Sequence, residues 1–256
     1  MINIAKEACL ISGKILLDNL GKLSSCDIET KGINNFVTYV DKQSEESIIK
    51  IIKTSFPEHC IFAEESGDNK KDSDYRWLID PLDGTTNYIH GVPFFAVSIA
   101  LEYKGEIILG VIYDPVRGEM FYAEKGKGAF LNSKEICVSN KENIANSIIT
   151  VGFPYKSYHN IEHYINTLTK IAGRCSNIRK IGSAALDLAY VASGRFDGYW
   201  ELDLGQWDIA AGIIIIREAG GIVTDTEGNN GFMETGNTLA SNRKIHKQLL
   251  EVLNKV

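Results

Sequence analysis

WLIDPLDGTTN, from Trp77 to Asn87, is an apolar run that ends in two aspartates, a proline, a glycine and two threonines. If the run is a strand ending at Ile79, Asp80 sits at its C-terminal lip, where open α/β sheets place ligands. Pro81 and Gly84 then shape a tight turn that brings Asp83 back near Asp80. Gly84, Thr85 and Thr86 open a helix whose free N–H groups suit a phosphate. Two carboxylates supply hard oxygen ligands of the kind Mg2+ takes. Read alone, a capped turn in which the aspartates accept backbone hydrogen bonds is the commoner explanation.

The flanking sequence sets the fold class. FFAVSIALEYKGEIILGVIYDP (94–115) reads as a hairpin with Lys104 and Gly105 at its turn, and GEMFYAEKGKGAFLN continues a meander. Upstream, CIFAEES (60–66) and YRWLID (75–80) are two more strands, after helices near 2–20 and 41–56. Asp41 is expected to cap the second helix and Pro57 to end it, while the Gly- and Asn-rich start of 31–41 reads as a mobile loop. Downstream the pattern alternates: strands near 147–153 and 176–181, at FDGYWEL and at GIVTD, and helices near 160–172, 183–194, 207–221 and from about 242. A layered α/β domain with mixed sheets follows. It is expected to be one unit of 1–256, with an antiparallel sheet in the first half (about 1–140) and α/β alternation in the second (about 141–256).

Composition narrows the function. The chain has 256 residues, 44% hydrophobic and 23% charged, an ordinary globular balance. A net charge of -6 and a pI near 5.5 offer no basic excess to neutralise nucleic-acid phosphates. A small anionic substrate fits if a bound cation reverses the local field. The five cysteines are scattered without a C-x-x-C pair, which reads as reduced thiols. Lys6, Glu7 and Lys14 interrupt the first apolar stretch, so neither signal peptide nor membrane span is expected and the protein is read as cytoplasmic. No G-x-S-x-G elbow and no P-loop occurs.

Two further acidic places matter. Glu64 and Glu65 end the strand CIFAEES, and the two-residue period turns one inward and one outward. Asp208 in GQWDIAAG (205–212) opens an unusually apolar helix, where the helix dipole alone would favour it. Together Glu64, Asp80, Asp83 and Asp208 each stand at the edge of an apolar element. Four carboxylates in one site repel unless cations hold them. With no His or Cys beside them, Mg2+ or Mn2+ fits better than Zn2+. His159 and His163 are spaced like a metal pair but read as a solvated helix face. Arg174, Arg179 and Lys180 pair with acids or receive a second phosphate.

WLIDPLDGTTNYIHGVPFFAVSIAL and WDIAAGIIIIREAGG resemble the two signature regions of the inositol monophosphatase family, and FAEES and FVTYVDKQSE resemble two further segments in the same order. The resemblance covers nearly the whole chain. It implies the alternating αβαβα sandwich shared with fructose-1,6-bisphosphatase, and a Mg2+-dependent phosphomonoesterase acting on myo-inositol 1-phosphate through a metal-activated water. It implies two or three Mg2+ per site, with Mn2+ as a substitute, held by Glu64, Asp80, the Leu82 carbonyl, Asp83 and Asp208. Asp41, Glu64 and Thr85 would serve catalysis. Asp83, Gly84, Thr85, Ala184, Glu201 and Asp208 would contact substrate, with Lys31 a looser match. A small phosphorylated polyol or sugar is the expected partner, and a homodimer the expected assembly. The alternatives are fructose 1,6-bisphosphate, histidinol phosphate or a 3′-phosphoadenosine phosphate as substrate, the last disfavoured by Thr86, and a regulatory binding protein on the same fold.

Overall fold

The consecutive isoleucines Ile213–Ile216 are all buried, which requires a helix with apolar neighbours on every side. The computed structural model, which describes residues 1–32, 35–69, 71–153 and 161–254, places that helix between two sheets. Helix α1 spans Ile2–Asn19. Strands β1 (Ile28–Gly32) and β2 (Asn35–Thr38) pair antiparallel and lead directly into α2 (Tyr39–Ser55).

The larger sheet contains β3 (Cys60–Ala63), β4 (Gly67–Asp68), β5 (Tyr75–Asp83), β6 (Ala96–Tyr103), β7 (Glu106–Asp114), β8 (Glu119–Glu124), β9 (Ala129–Leu131) and β10 (Lys134–Ile136). Their order is β10-β9-β8-β7-β6-β5-β3-β4, and among the described residues only the β3–β5 pair is parallel. Helix α3 (Thr85–Ile89) follows β5. The second sheet contains β11 (Ile148–Val151), β12 (Asn177–Arg179), β13 (Gly198–Glu201), β14 (Ile222–Thr224) and β15 (Thr238–Ser241), in the order β12-β11-β13-β15-β14. Between and after these strands run α4 (Ile161–Ala172), α5 (Ala184–Ala192), α6 (Gln206–Glu218), α7 (Phe232–Thr235) and α8 (His246–Asn254).

Three cores define five layers. Ala5, Ala8 and Leu16 of α1 and Ile48 and Ile52 of α2 pack on one face of the larger sheet, against Trp77, Ile79 and Val97. The opposite face, through Leu78, Ala96, Ala100 and Ile112, meets α5 and α6, which also pack on Tyr199, Val223 and Ala240 of the second sheet. Tyr164 of α4 and Leu249 of α8 cover that sheet's outer face over Trp200 and Leu239. The result is the expected αβαβα sandwich. Parity along β5 sends Trp77 and Ile79 to one side and Leu78 and Asp80 to the other, so Asp80 faces the layer that α6 occupies.

Three local readings change. The cap of α2 is Thr38, whose hydroxyl accepts from the Val40 N–H; Asp41 is the reciprocal partner one turn in, accepting from the Thr38 N–H at 2.9 Å. Strand β5 continues past Ile79: Asp80 pairs with Ser98 and Asp83 with Ala96, so one extra residue makes a bulge rather than a tight turn. Strand β15 lies between β13 and β14, at a position where the sequence pattern signals no strand.

A row of small residues crosses the larger sheet where α6 lies on it: Ala100 is opposite Gly110, Gly110 opposite Ala123, and Ala123 opposite Ala129. A Cβ on Gly110 would meet the Ala211 Cα and carbonyl oxygen at 2.7 Å. Backbone cannot give way as a side chain can. Gly110→Ala is therefore expected to destabilise the protein by about 1–3 kcal/mol, the usual cost of overpacking. Gly32→Ala, with open space around the site, should stay within about 0.5 kcal/mol. Urea unfolding of both variants tests the difference.

Candidate functional site

The bulge, the end of β3 and the N-termini of α5 and α6 open onto one cavity of about 590 Å3. Glu64, Asp80, Asp83 and Asp208 all line it, with Leu82, Gly84, Thr85, Ala184 and Glu201. Every site residue expected from the sequence lies there except Asp41, which reaches the cavity through Thr85: the Thr85 hydroxyl lies 3.2 Å from Asp41 Oδ1 and 3.1 Å from the Leu82 carbonyl. Glu65 is not among the lining residues. Lys180 lines the cavity, but Arg174, Arg179 and His163 do not. His159 and the side chain of Lys31 lie outside the described residues.

The bulge forms because its polar atoms find partners inside it. Asp80 is 1% exposed, and its Oδ1 accepts from the Leu82 N–H at 2.9 Å. Asp83 reaches across to the second half, where its Oδ2 accepts from the Ser183 hydroxyl at 2.5 Å and the Ala185 N–H at 2.8 Å, at the start of α5. Gly84 takes φ +93°, and a Cβ there would meet the Phe94 carbonyl at 2.9 Å, so no other residue turns the chain here without strain. Asn87 donates to the carbonyls of Phe94 at 2.7 Å and Ile181 at 2.8 Å, a second tie between the halves. At α6, Asp208 Oδ2 accepts from the Gly205 N–H at 2.6 Å, the bond expected of an acid in a first turn.

The electrostatics are those of crowded, buried acids. Burial pushes the Asp80 carboxyl well above its ordinary range, and Glu64, Asp83 and Asp208 add repulsion. Burial, with Asp208 beside it, raises Asp83 to about 7. Burial also raises Asp41, against the hydrogen bonds from Thr38 that lower it. Hydrogen-bonded as they are, no three acids, His or Cys among the described residues are gathered closely enough to ligate one ion. The donor set still fits a hard divalent cation: all oxygen, several carboxylates, and a shared repulsion that a cation relieves.

Glu201, also in the lining, ends β13, where the sequence pattern expects a strand continuing to Leu202. The Tyr199 hydroxyl donates to its Oε2 at 2.5 Å, and a Cβ on Gly152 would overlap its carboxyl group. Burial raises Glu201 to about 8. Sequence reasoning missed Asp187, which lines the cavity, is 1% exposed and accepts from the Thr150 hydroxyl. It missed Ser183 and Glu45 as well. The signal for Glu45 was its spacing of four from Asp41, which puts both on one helix face.

Comparison with known proteins gives one consistent picture. A family model described as the inositol monophosphatase family matches residues 1–256. A Pasteurella multocida protein named Nus factor SuhB is 44% identical over 257 residues, spanning 100% of this chain and 95% of its own. Extragenic suppressor protein suhB from Bartonella henselae superposes with a TM-score of 0.96 at 41% identity, over 99% of this chain and 98% of that one. An inositol monophosphatase from Anabaena (Nostoc) superposes with a TM-score of 0.87 at 41% identity, over 98% and 94%.

The crowding has a measurable sign. Folded Asp83 keeps its proton up to about pH 7, whereas an unfolded aspartate releases it near pH 4. Between those values the folded state binds more protons, so stability falls as pH rises. Metal-free protein in EDTA should melt at lower temperature at pH 8 than at pH 5, and Asp83→Asn should reduce that difference. An unchanged difference in the variant would place the pH dependence elsewhere.

Proposed function

Because the chain belongs to the inositol monophosphatase family, we propose that it is a Mg2+-dependent phosphatase of myo-inositol 1-phosphate or a similar polyol monophosphate. The observation that carries this reading is one cavity lined by Glu64, Asp80, Asp83 and Asp208 together with the hydrogen-bonded Glu201. Glu64, Asp80, the Leu82 carbonyl, Asp83 and Asp208 are the residues that would hold Mg2+. When bound, Mg2+ supplies charge compensation for the phosphoryl oxygens and acidifies water.

The remaining work falls to the chain. Phosphoryl transfer needs an attacking oxygen in line with the leaving group and charge stabilisation around the phosphorus. Thr85 has one hydroxyl proton, shared between Asp41 and the Leu82 carbonyl. With that proton donated in a hydrogen bond to Asp41, the Thr85 oxygen remains an acceptor that can orient a water. Asp41 keeps its place because Thr38 donates to its other oxygen from both backbone, at 2.9 Å, and side chain, at 2.6 Å. Glu201 has lone pairs left beside the Tyr199 bond, which suits the hydroxyls of a polyol. Ala184, whose backbone N–H is hydrogen-bonded toward Asp83, brings the start of α5 into the cavity lining.

A second reading draws support from the name Nus factor carried by the Pasteurella relative: a binding role on the same fold beside hydrolysis. Asp80→Asn separates the two, since it removes an expected metal ligand but no surface.

Mg2+-dependent phosphate release across inositol 1-phosphate, fructose 1,6-bisphosphate, histidinol phosphate and an adenosine phosphate tests the assignment. Activity should centre on the inositol ester, and silence on every ester would favour the binding role alone. Thr85→Ala should lower kcat with KM nearly unchanged, the pattern of an interaction used in the transition state. Glu201→Gln should cut kcat/KM for inositol 1-phosphate by roughly tenfold, the scale of one hydrogen bond, and spare p-nitrophenyl phosphate. Equal losses on both esters would move Glu201 from substrate recognition to support of the site.

A further inference from the structure

Glu45 is a buried carboxylate, 3% exposed, that no step of the proposed reaction uses. It lies on α2 one turn beyond Asp41, and both its oxygens are occupied. Oε2 accepts from the Glu65 N–H at 2.8 Å, and Oε1 accepts from the Ser66 N–H at 2.9 Å. These two amides follow Glu64 directly. The Glu64 N–H itself donates to the Ile79 carbonyl at 3.1 Å. The segment is therefore gripped on both sides of the Glu64 side chain, by β5 before it and by α2 after it.

The chemistry of the grip is specific. Two neighbouring N–H groups ask for two acceptor oxygens on one planar group. A carboxylate offers that and a carboxamide does not, because its NH2 would face one of the donors. Hydrogen bonds to an ionised acceptor are also the stronger kind. No salt bridge to Glu45 occurs among the described residues, and burial raises its pKa. A buried carboxylate held by the Glu65 and Ser66 amides and the Ser66 hydroxyl, without such a bridge, is costly, so a merely structural clasp would be a poor choice here.

The same face of α2 holds the other parts of the site. Asp41 meets Thr85. Ser44 donates to the Pro81 carbonyl inside the bulge at 2.9 Å. Ser44 has then spent its proton, so the 2.6 Å bond with Ser12 of α1 runs from Ser12 to Ser44. Positions 41, 44 and 45 thus fix three chain segments that border the cavity from one helical surface.

We infer that Glu45 is a positioning residue for a divalent-cation site: by holding the Glu65 and Ser66 amides it aims Glu64 into the cavity. The inference rests on the reading of Glu64 as a metal ligand. Residues that orient a ligand in this way typically change metal affinity by about 10- to 100-fold when replaced.

The test uses the full chain and Mn2+ as probe, with free Mn2+ read by its EPR signal at a temperature where circular dichroism shows every variant folded. Glu45→Gln should weaken Mn2+ binding roughly tenfold, while kcat for inositol 1-phosphate recovers most of its value at saturating metal. Wild-type Mn2+ affinity in Glu45→Gln, with or without a lower melting temperature in EDTA, would reduce Glu45 to a structural clasp and overturn the inference. If Glu45→Gln does not fold, Glu45→Asp carries the same test, because one methylene fewer withdraws the carboxylate from both amides. Glu64→Gln separates the two levels of argument. Loss of binding there with wild-type affinity in the Glu45 variants defeats the inference alone. Wild-type affinity in Glu64→Gln defeats the ligand reading beneath it.

Discussion

Mutual repulsion among carboxylates at the ends of apolar elements is the constraint to which the rest of this molecule answers. Asp80 is buried within β5, directly after the apolar Leu78 and Ile79, and Glu64, Asp83 and Asp208 raise its pKa further. Each acid is held in place by donors that come from outside its own charge group. Leu82 serves Asp80, Ser183 and Ala185 serve Asp83, and Gly205 serves Asp208. Because the donors to Asp83 belong to α5, the repulsive cluster also fastens the first half of the chain to the second. Stability is given up locally to keep an arrangement that a cation would complete, a trade common at functional sites.

Much of this was legible in the sequence. The antiparallel meander, the two N-terminal helices and the α/β alternation follow from hydrophobic period, and Asp80, Asp83, Glu64 and Asp208 stand out as acids where apolar elements end. The bulge was not legible, since Pro81 and Gly84 equally suit a tight turn; only the register against Ser98 and Ala96 distinguishes the two. Strand β15 escaped because Thr238–Ser241 is a short stretch without alternation, and it is buried on both faces. Asp187 and Glu45 escaped for a related reason. Each sits inside a helix, where an acid normally signals a solvent face, and only the tertiary neighbours Thr150, Glu65 and Ser66 reveal otherwise.

The position of α6 also explains a compositional oddity. Its isoleucines would mark a helix as membrane-seeking in another context, yet no helix among the described residues is long and apolar enough to cross a bilayer. The larger sheet receives it through the row of Ala100, Gly110, Ala123 and Ala129, whose missing side-chain volume lets the helix backbone approach. Bulk on the helix and its absence on the sheet are two halves of one packing solution.

That solution has a consequence for the order in which the protein is made. The larger sheet is complete once Ile136 has been synthesised, but the helices that cover its inner face span Ala184–Ala192 and Gln206–Glu218. During synthesis, Leu78, Ala96, Ile112 and Phe121 face water until that later segment leaves the ribosome. Chains released early, or cut between the sheet and α6, keep this surface open and meet one another through it. The molecule's vulnerability is thus distributed in time, concentrated in the interval between finishing a sheet and receiving the helix that seals it.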